Sequence, residues 1–413
     1  MKAEIITIGD ELLIGQVVDT NSAHIAKQLN DAGLEVVHIA SVADNGSDIV
    51  SALDAATARA SAVLITGGLG PTNDDRTKQS ILGYFHSGTR FDEGVFHHIA
   101  ELLSRRGVSL NERNRDQAIV PDNCTLISNP LGTAPGLWFE KNNATYLFMP
   151  GVPYEMKAVL ANAMPLLRKA VSGFAIRHKT ILTQGFPESM LAKKIENWET
   201  GLPENLALAY LPSPGLVRLR LTGRGTSDKE IDETINQQVI KLKKLIPEHI
   251  FGYDQDTLER IIGDLLREKG AWLATAESCT GGTIASMITS VPGSSAYFRG
   301  SVVAYSNLIK MSLLHVNESL IGQYGAVSKE VVEAMAAGAR DILQADYSIA
   351  TSGIAGPDGG TDDKPVGTVW IAIASPMGLY SAMYRFGDDR ERNILRASVT
   401  ALNMLRKAIL GSL

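Results

Sequence analysis

The ten residues from Leu273 to Gly282, LATAESCTGG, bring a hydroxyl, a thiol, a carboxylate and two glycines together behind a short apolar run. Followed by Thr283-Ile284-Ala285-Ser286-Met287-Ile288, they read as a strand, a tight turn and a helix start. This puts Ser278 at the C-terminal end of a strand. In parallel α/β sheets ligands bind at that edge, because helix N-termini there offer unpaired N–H groups and a positive dipole end to an anion. A lesser role is open to Ser278 or Thr280: either hydroxyl could N-cap the helix while the glycines make the turn.

Hydrolysis of an amide needs a nucleophilic hydroxyl, a base to take its proton, and donors for the oxyanion. Ser278, Lys310 and Tyr305 could supply the first two, since a β-rich run over 302–307 reaches Lys310 a few residues later. A lysine serves as a base only where burial or a neighbouring cation lowers its pKa. The run 350–360, ATSGIAGPDGG, closes a third strand with a glycine-rich loop suited to holding phosphate or ribose through backbone N–H groups. Thr351, Gly353 and Gly356 lie in it. Arg390, just before a helix, suits a phosphate clamp and equally a solvated arginine in a first helical turn. Cys279 is a competing nucleophile, but no suitably placed histidine accompanies it, so a small packed residue is expected there. The spacing Ser-x-x-Lys is absent, because Gly281 stands three residues after Ser278.

A second set of polar loops lies in residues 1–170. Strands at 5–8, 36–39 and 62–66 alternate with helices at 20–30 and 47–60, the rhythm of a mostly parallel sheet covered on both faces. Loops after the strands carry Gly9-Asp10-Glu11, Asp44-Asn45, and the run from Gly67 to Thr77, GGLGPTNDDRT. Glycines in the third loop let a diphosphate approach the backbone, and Asp74 and Asp75 could hold a divalent cation that polarises phosphorus and activates water. Asp74 could instead cap the helix that begins near Arg76. Two more Gly/Pro loops, 129–136 and 149–155, favour a site.

Residues 174–253 change pattern to a β-α-β-β-α run, a small α+β domain. Arg218 and Arg220 alternate with Val217 and Leu219, so both lie on one face of a strand. The segment has 11 Lys and Arg against nine Asp and Glu, and no Gly-x-x-Gly loop where a KH domain clamps RNA. A structural spacer or dimer contact is expected rather than a nucleic-acid surface.

The set TAESCTGG, PGSSAYF, YSNLIK, TSGIAGPDGG, KPVGTVW and GDDR, in that order, resembles the C-terminal domain of the CinA family, which is similar to stand-alone nicotinamide mononucleotide deamidases. The resemblance implies metal-free hydrolysis of the carboxamide of nicotinamide mononucleotide (NMN) to nicotinic acid mononucleotide and ammonia by a serine–lysine mechanism. Ser278 would be the nucleophile, Lys310 the base and Tyr305 its hydrogen-bonding helper. Ser295, Thr351, Gly353, Gly356 and Arg390 would contact substrate or oxyanion. The N-terminal loops resemble the molybdopterin-binding fold as it occurs in CinA proteins. There Gly68, Gly70 and Thr77 would form the nucleotide- or pterin-phosphate loop with Asp44 opposite, and Asp74, Asp75 and Glu155 would serve a divalent metal (Mg, Mn or Co).

The implied N-terminal activity is cleavage of ADP-ribose to AMP and ribose 5-phosphate. Related cofactor proteins instead adenylylate molybdopterin or insert metal into it, which is the alternative. The expected architecture is α/β in three domains: a molybdopterin-binding-like three-layer domain over 1–170, a small α+β KH-like domain over 174–253, and an α/β amidohydrolase domain over 255–413. The resemblance also implies a homodimer.

Composition fits several domains of a water-soluble chain. The 413 residues are 45% hydrophobic with net charge −6, too long for one ordinary domain. No signal-like N-terminus and no apolar run of spanning length is present, so no membrane association is expected and a cytoplasmic location is. Two cysteines, Cys124 and Cys279, give neither a disulfide framework nor metal-ligand spacing. A non-enzymatic adaptor for DNA uptake, suggested by the family's historical name for competence, would require salt-dependent DNA binding. The acidic total and the absence of a basic run count against it.

Overall fold

The computed structural model describes residues 1–69, 77–170 and 175–413. They divide into two compact units, Met1–His178 with Thr222–Thr234, and Lys179–Leu221 with Ile235–Leu413. Among the described residues no helix is long and apolar enough to cross a membrane.

The N-terminal sheet has six strands in the order Glu35–Val42, Lys2–Ile8, Ala62–Thr66, Ala144–Met149, Gly136–Lys141, Thr125–Ile127. The first four are mutually parallel, and the last two join antiparallel. Strand Lys2–Ile8 is apolar at successive positions because both its faces are covered. Ile5 and Leu64 pack with Leu29 of helix Thr20–Asp31 and Leu160 of helix Pro153–Ala170. Ile6 and Ile65 pack on the other face with Leu53 of helix Gly46–Thr57 and Ile81 of helix Thr77–Phe85. The result is the expected three-layer arrangement.

The middle sheet has the order Leu206–Ser213, Leu216–Gly225, Ala175–Gln184, Ile250–Tyr253. Its fourth strand, Ile250–Tyr253, pairs antiparallel with Ala175–Gln184 and extends the β-α-β-β-α reading by one element. Val217 and Leu219 are buried while Arg218 and Arg220 point to solvent, the period-two alternation of a half-covered sheet.

The C-terminal sheet runs Phe298–Val303, Leu273–Glu277, Tyr347–Gly353, Thr368–Ser375, Gly378–Arg385. The first three strands are parallel and the last two antiparallel. Leu273 and Ile349 pack against Ile262 and Leu266 of helix Leu258–Lys269 and Leu402 and Leu405 of helix Arg390–Leu410. Ala276 and Ala350 face Val332 and Met335 of helix Lys329–Ile342, which Ser328 N-caps by accepting from Val331 N. Gly270, in the left-handed region, ends helix Leu258–Lys269 and turns the chain into the strand that leads to Ser278.

Candidate active site

Ser278 follows directly on strand Leu273–Glu277, and its amide donates to Thr351 O of the neighbouring parallel strand at 3.0 Å. The strand on the other side leaves the sheet at the same edge, because Glu277 is paired with Val303. The chain then passes Tyr305 into helix Asn307–Ser312, whose N-cap Ser306 accepts from Ile309 N. Lys310 on this helix therefore reaches back over the strand ends. Its Nζ lies 3.2 Å from Ser278 Oγ, 2.9 Å from Ala304 O and 3.3 Å from Tyr305 O.

Lys310 is only 2% exposed and Ser278 8%. Burial pushes the Lys310 ammonium below the usual lysine range. Nζ donates to all three oxygens as the ammonium; as the neutral amine it keeps two N–H bonds to the carbonyls of Ala304 and Tyr305 and turns its lone pair to the Ser278 hydroxyl proton. Such a pair can activate a serine without histidine. Cys279 is buried, with its thiol pushed up to about 12 by burial, which makes it a poor nucleophile near neutrality.

Glu277 was not among the residues singled out from sequence, although it lies inside the motif. It is 0% exposed, and its carboxylate accepts from the amides of Gly282, Ile284 and Ala285 and from Thr280 Oγ1, at 2.7–3.1 Å. The helix Thr283–Thr289 has Gly282 at its N-cap position and no capping side chain of its own there. Glu277 fills that role from the preceding strand, so neither Ser278 nor Thr280 is the N-cap. Its carboxylate also takes amides that the sequence reading left open to an incoming anion. Thr280 bonds further to Thr351 Oγ1 at 2.8 Å, which fixes both hydroxyls under the Ser278 turn.

Tyr305 meets Lys310 by its backbone carbonyl, not by its phenol. The phenol is in a 63% exposed side chain and accepts from Arg390 Nη2 at 3.2 Å. Arg390 opens helix Arg390–Leu410, which Asp389 N-caps, and its Nη1 donates to Gly356 O at 2.8 Å. The glycine-rich loop is thus tied through its carbonyls, Gly356 to Arg390 and Ala355 to Asn393 Nδ2. Gly353 belongs to the strand rather than the loop, and a side chain there would press on Thr368 O and Val369.

Ser295 is not brought to this site within the chain. It sits exposed in the short turn Ser294–Ala296 before strand Phe298–Val303, and Phe298 pairs with Leu273. Parallel pairing puts that turn at the opposite edge of the sheet from Ser278, about 16 Å away over five residues. The order of motifs in the sequence conceals which edge each turn occupies.

In the N-terminal unit, Gly68 takes φ +67° and lies so close to Thr77 that a side chain would overlap Thr77 Oγ1. Thr77 is buried at the start of its helix and donates to Asp44 Oδ1 at 3.3 Å, and Asp44 N donates to Asp10 Oδ1 at 3.3 Å. Gly68, Thr77 and Asp44 therefore gather at the C-terminal edge of the parallel strands. Glu155 accepts from Asn129 Nδ2 at 2.8 Å and is packed against Gly132. Gly70, Asp74 and Asp75 lie outside the described residues. Among the described residues no three His, Cys, Asp or Glu side chains are grouped to hold a metal ion.

Comparison with known proteins agrees with this architecture. Residues 4–169 match the family described as "Probable molybdopterin binding domain", 178–252 the "Damage-inducible protein CinA KH domain", and 255–409 the "CinA C-terminal domain". A CinA-like protein of Cytophaga hutchinsonii is 44% identical over 98% of this chain and 98% of its own length. One of Flavobacterium psychrophilum is 45% identical over 99% of each. A solved structure of the competence/damage inducible protein CihA from Agrobacterium tumefaciens is 39% identical over 37% of this chain and 93% of its own, with TM-score 0.36. An N-terminal molybdopterin-binding-like domain, a KH-like middle domain and a CinA C-terminal domain make this a member of the CinA family.

Proposed function

We propose that the C-terminal domain is a serine–lysine amidohydrolase that deamidates nicotinamide mononucleotide. What carries the reading is the buried Lys310 Nζ at 3.2 Å from Ser278 Oγ, with carbonyls as its other partners. Neutral Lys310 takes the hydroxyl proton as Ser278 Oγ bonds to the carboxamide carbon. The tetrahedral adduct collapses as the same proton passes to the leaving nitrogen, which departs as ammonia. Water, deprotonated by Lys310, then attacks the acyl ester, and nicotinic acid mononucleotide and the free serine result. No step in this sequence calls for a metal. Arg390, beside Tyr305 at the same edge, is suited to the substrate phosphate. Rapid quenching with NMN followed by peptide mass analysis tests the reading. An acyl adduct on the Ser278 peptide, lost in Lys310→Ala, supports it. Turnover with Ser278→Ala at the wild-type rate refutes it.

A second reading concerns the N-terminal domain. The Gly68, Thr77 and Asp44 cluster at the sheet edge favours binding of a nucleotide phosphate there. The resemblance to CinA proteins makes ADP-ribose hydrolysis, with Mg, Mn or Co, the activity to test. AMP formation that chelation stops and Asp44→Ala weakens supports it. ATP consumption dependent on molybdopterin would favour the nucleotidyltransferase alternative.

A further inference from the structure

A cavity of about 580 Å³ opens beside the edge strand Gly378–Arg385 of the C-terminal sheet. Gln184 at the end of strand Ala175–Gln184 and His249 close it from the middle domain, and helices Lys329–Ile342 and Arg390–Leu410 supply the other walls. All of these lining residues belong to one compact unit, Lys179–Leu221 with Ile235–Leu413. The volume falls within the roughly 300–1,000 Å³ of small-molecule sites. Neither Ser278 nor Lys310 lines it.

Thr400, Asn403 and Lys407 stand three and four residues apart and so share one face of their helix. Arginine can only donate, so Arg406 Nε, 2.9 Å from Asn403 Oδ1, fixes the orientation of that amide. Asn403 Nδ2 must then donate to Gln184 Oε1. The other end of the Gln184 amide, Nε2, is left without a partner among the described residues. Thr400 is 6% exposed and its hydroxyl has no hydrogen-bond partner among the described residues, yet its oxygen is not sealed from solvent. Tyr384 Oη finds only Met404 Sδ at 3.5 Å, a weak acceptor. Lys407 makes no ion pair among the described residues. The groups left wanting partners around this cavity are donors, and half-buried donors are normally satisfied, so the ligand has to bring acceptors.

Charge points the same way. Arg406, 8% exposed, has no carboxylate partner among the described residues, which leaves a buried positive charge uncompensated next to Asn403. Glu333, the acidic side chain in the lining, is already engaged: it accepts from Ser381 Oγ at 2.6 Å and lies 3.9 Å from Lys329 Nζ. Even counting a terminal carboxylate at Leu413, Lys329, Lys407 and Arg406 outnumber the acidic groups. Tyr380, Tyr384 and His249, the last stacked on Phe186 with 3.9 Å between ring centroids, add flat aromatic surface.

We propose that this cleft is a second ligand site, separate from Ser278, for a small anion carried on a flat ring. Lys407, Thr400 Oγ1 and Gln184 Nε2 take the anionic group, and the ring lies among Tyr380, Tyr384 and His249. Carboxylate and phosphate share the required chemistry, a cluster of acceptors with negative charge.

Calorimetry on the full-length protein with benzoate, phenyl phosphate and benzamide tests the assignment. At least one of the two anions is expected to bind, and which one binds more tightly tells carboxylate from phosphate. Benzamide, flat and neutral, is expected to bind at least tenfold more weakly, on the order of one charge-assisted contact. Lys407→Gln, at a partly exposed position, should weaken the anion about tenfold, and Thr400→Val, which keeps the side chain's shape, about threefold. Arg390→Ala should leave this binding unchanged, so the result does not depend on the deamidase reading. The proposal is overturned if neither anion binds, if benzamide binds as tightly, or if Lys407→Gln and Thr400→Val bind like the wild type.

Discussion

Lys310 Nζ and Ser278 Oγ stand 3.2 Å apart although 32 residues separate them in the chain. The two parallel strands that end at Glu277 and Val303 deliver both segments to one edge, and the short helix after Ser306 folds the lysine back into a buried place. A lysine whose ammonium is disfavoured by burial can serve the serine as its base. Because burial lowers its pKa, the base form accumulates as pH rises through a value below the ordinary ~10.4. Ammonia release from NMN should therefore climb with pH and level off below that value. Initial rates across the pH range check this, and a rate still rising at pH ~10 contradicts it.

The same burial has a cost in stability. Unfolded, Lys310 stays protonated up to about pH 10.4, whereas folded it loses its proton at lower pH. Between those two values the unfolded state binds more protons, so this residue's contribution becomes more favourable as pH rises. Lys310→Met removes the dependence. The variant should melt above the wild type near neutral pH, with the difference shrinking as pH approaches ~10. Thermal melts at several pH values measure it.

Glu277→Gln tests the carboxylate beneath the serine turn. Glutamine fits the space but replaces one carboxylate oxygen by an NH₂, which meets the Ala285 N–H in one orientation and the N–H groups of Gly282 and Ile284 in the other. A loss of about 1–3 kcal/mol in denaturant unfolding is expected, and the fall in activity should appear mainly in kcat, because the Ser278 turn loses its anchor.

Tyr305 and Arg390 should separate in kinetics. Tyr305→Phe keeps the backbone carbonyl that accepts from Lys310 and loses only the contact with Arg390, so kcat should stay within about threefold of wild type. Arg390→Ala should raise KM for NMN about tenfold or more, through loss of a charge-assisted contact to phosphate.

Part of this was legible without coordinates. The apolar run before ESCTGG located Ser278 at a strand end, and the N-terminal β–α rhythm gave a mostly parallel, three-layer sheet. The serine–lysine pair was not legible from spacing, because pairing of adjacent strands creates it. Within the chain Ser295 lies at the other sheet edge from Ser278, which motif order does not reveal. Glu277 was overlooked because a carboxylate inside an apolar strand declares its role only through the amides it meets. Tyr305, expected as the hydrogen-bonding partner of Lys310, meets it through its backbone carbonyl, which residue type alone does not reveal.

The most direct measurement is ammonia release from NMN by the full-length protein in the presence of EDTA, beside Ser278→Ala and Lys310→Ala. The account predicts release by the wild type, undiminished by the chelator, and a loss of about a hundredfold or more in each variant. Release that EDTA abolishes, or that either variant retains at the wild-type rate, would contradict it.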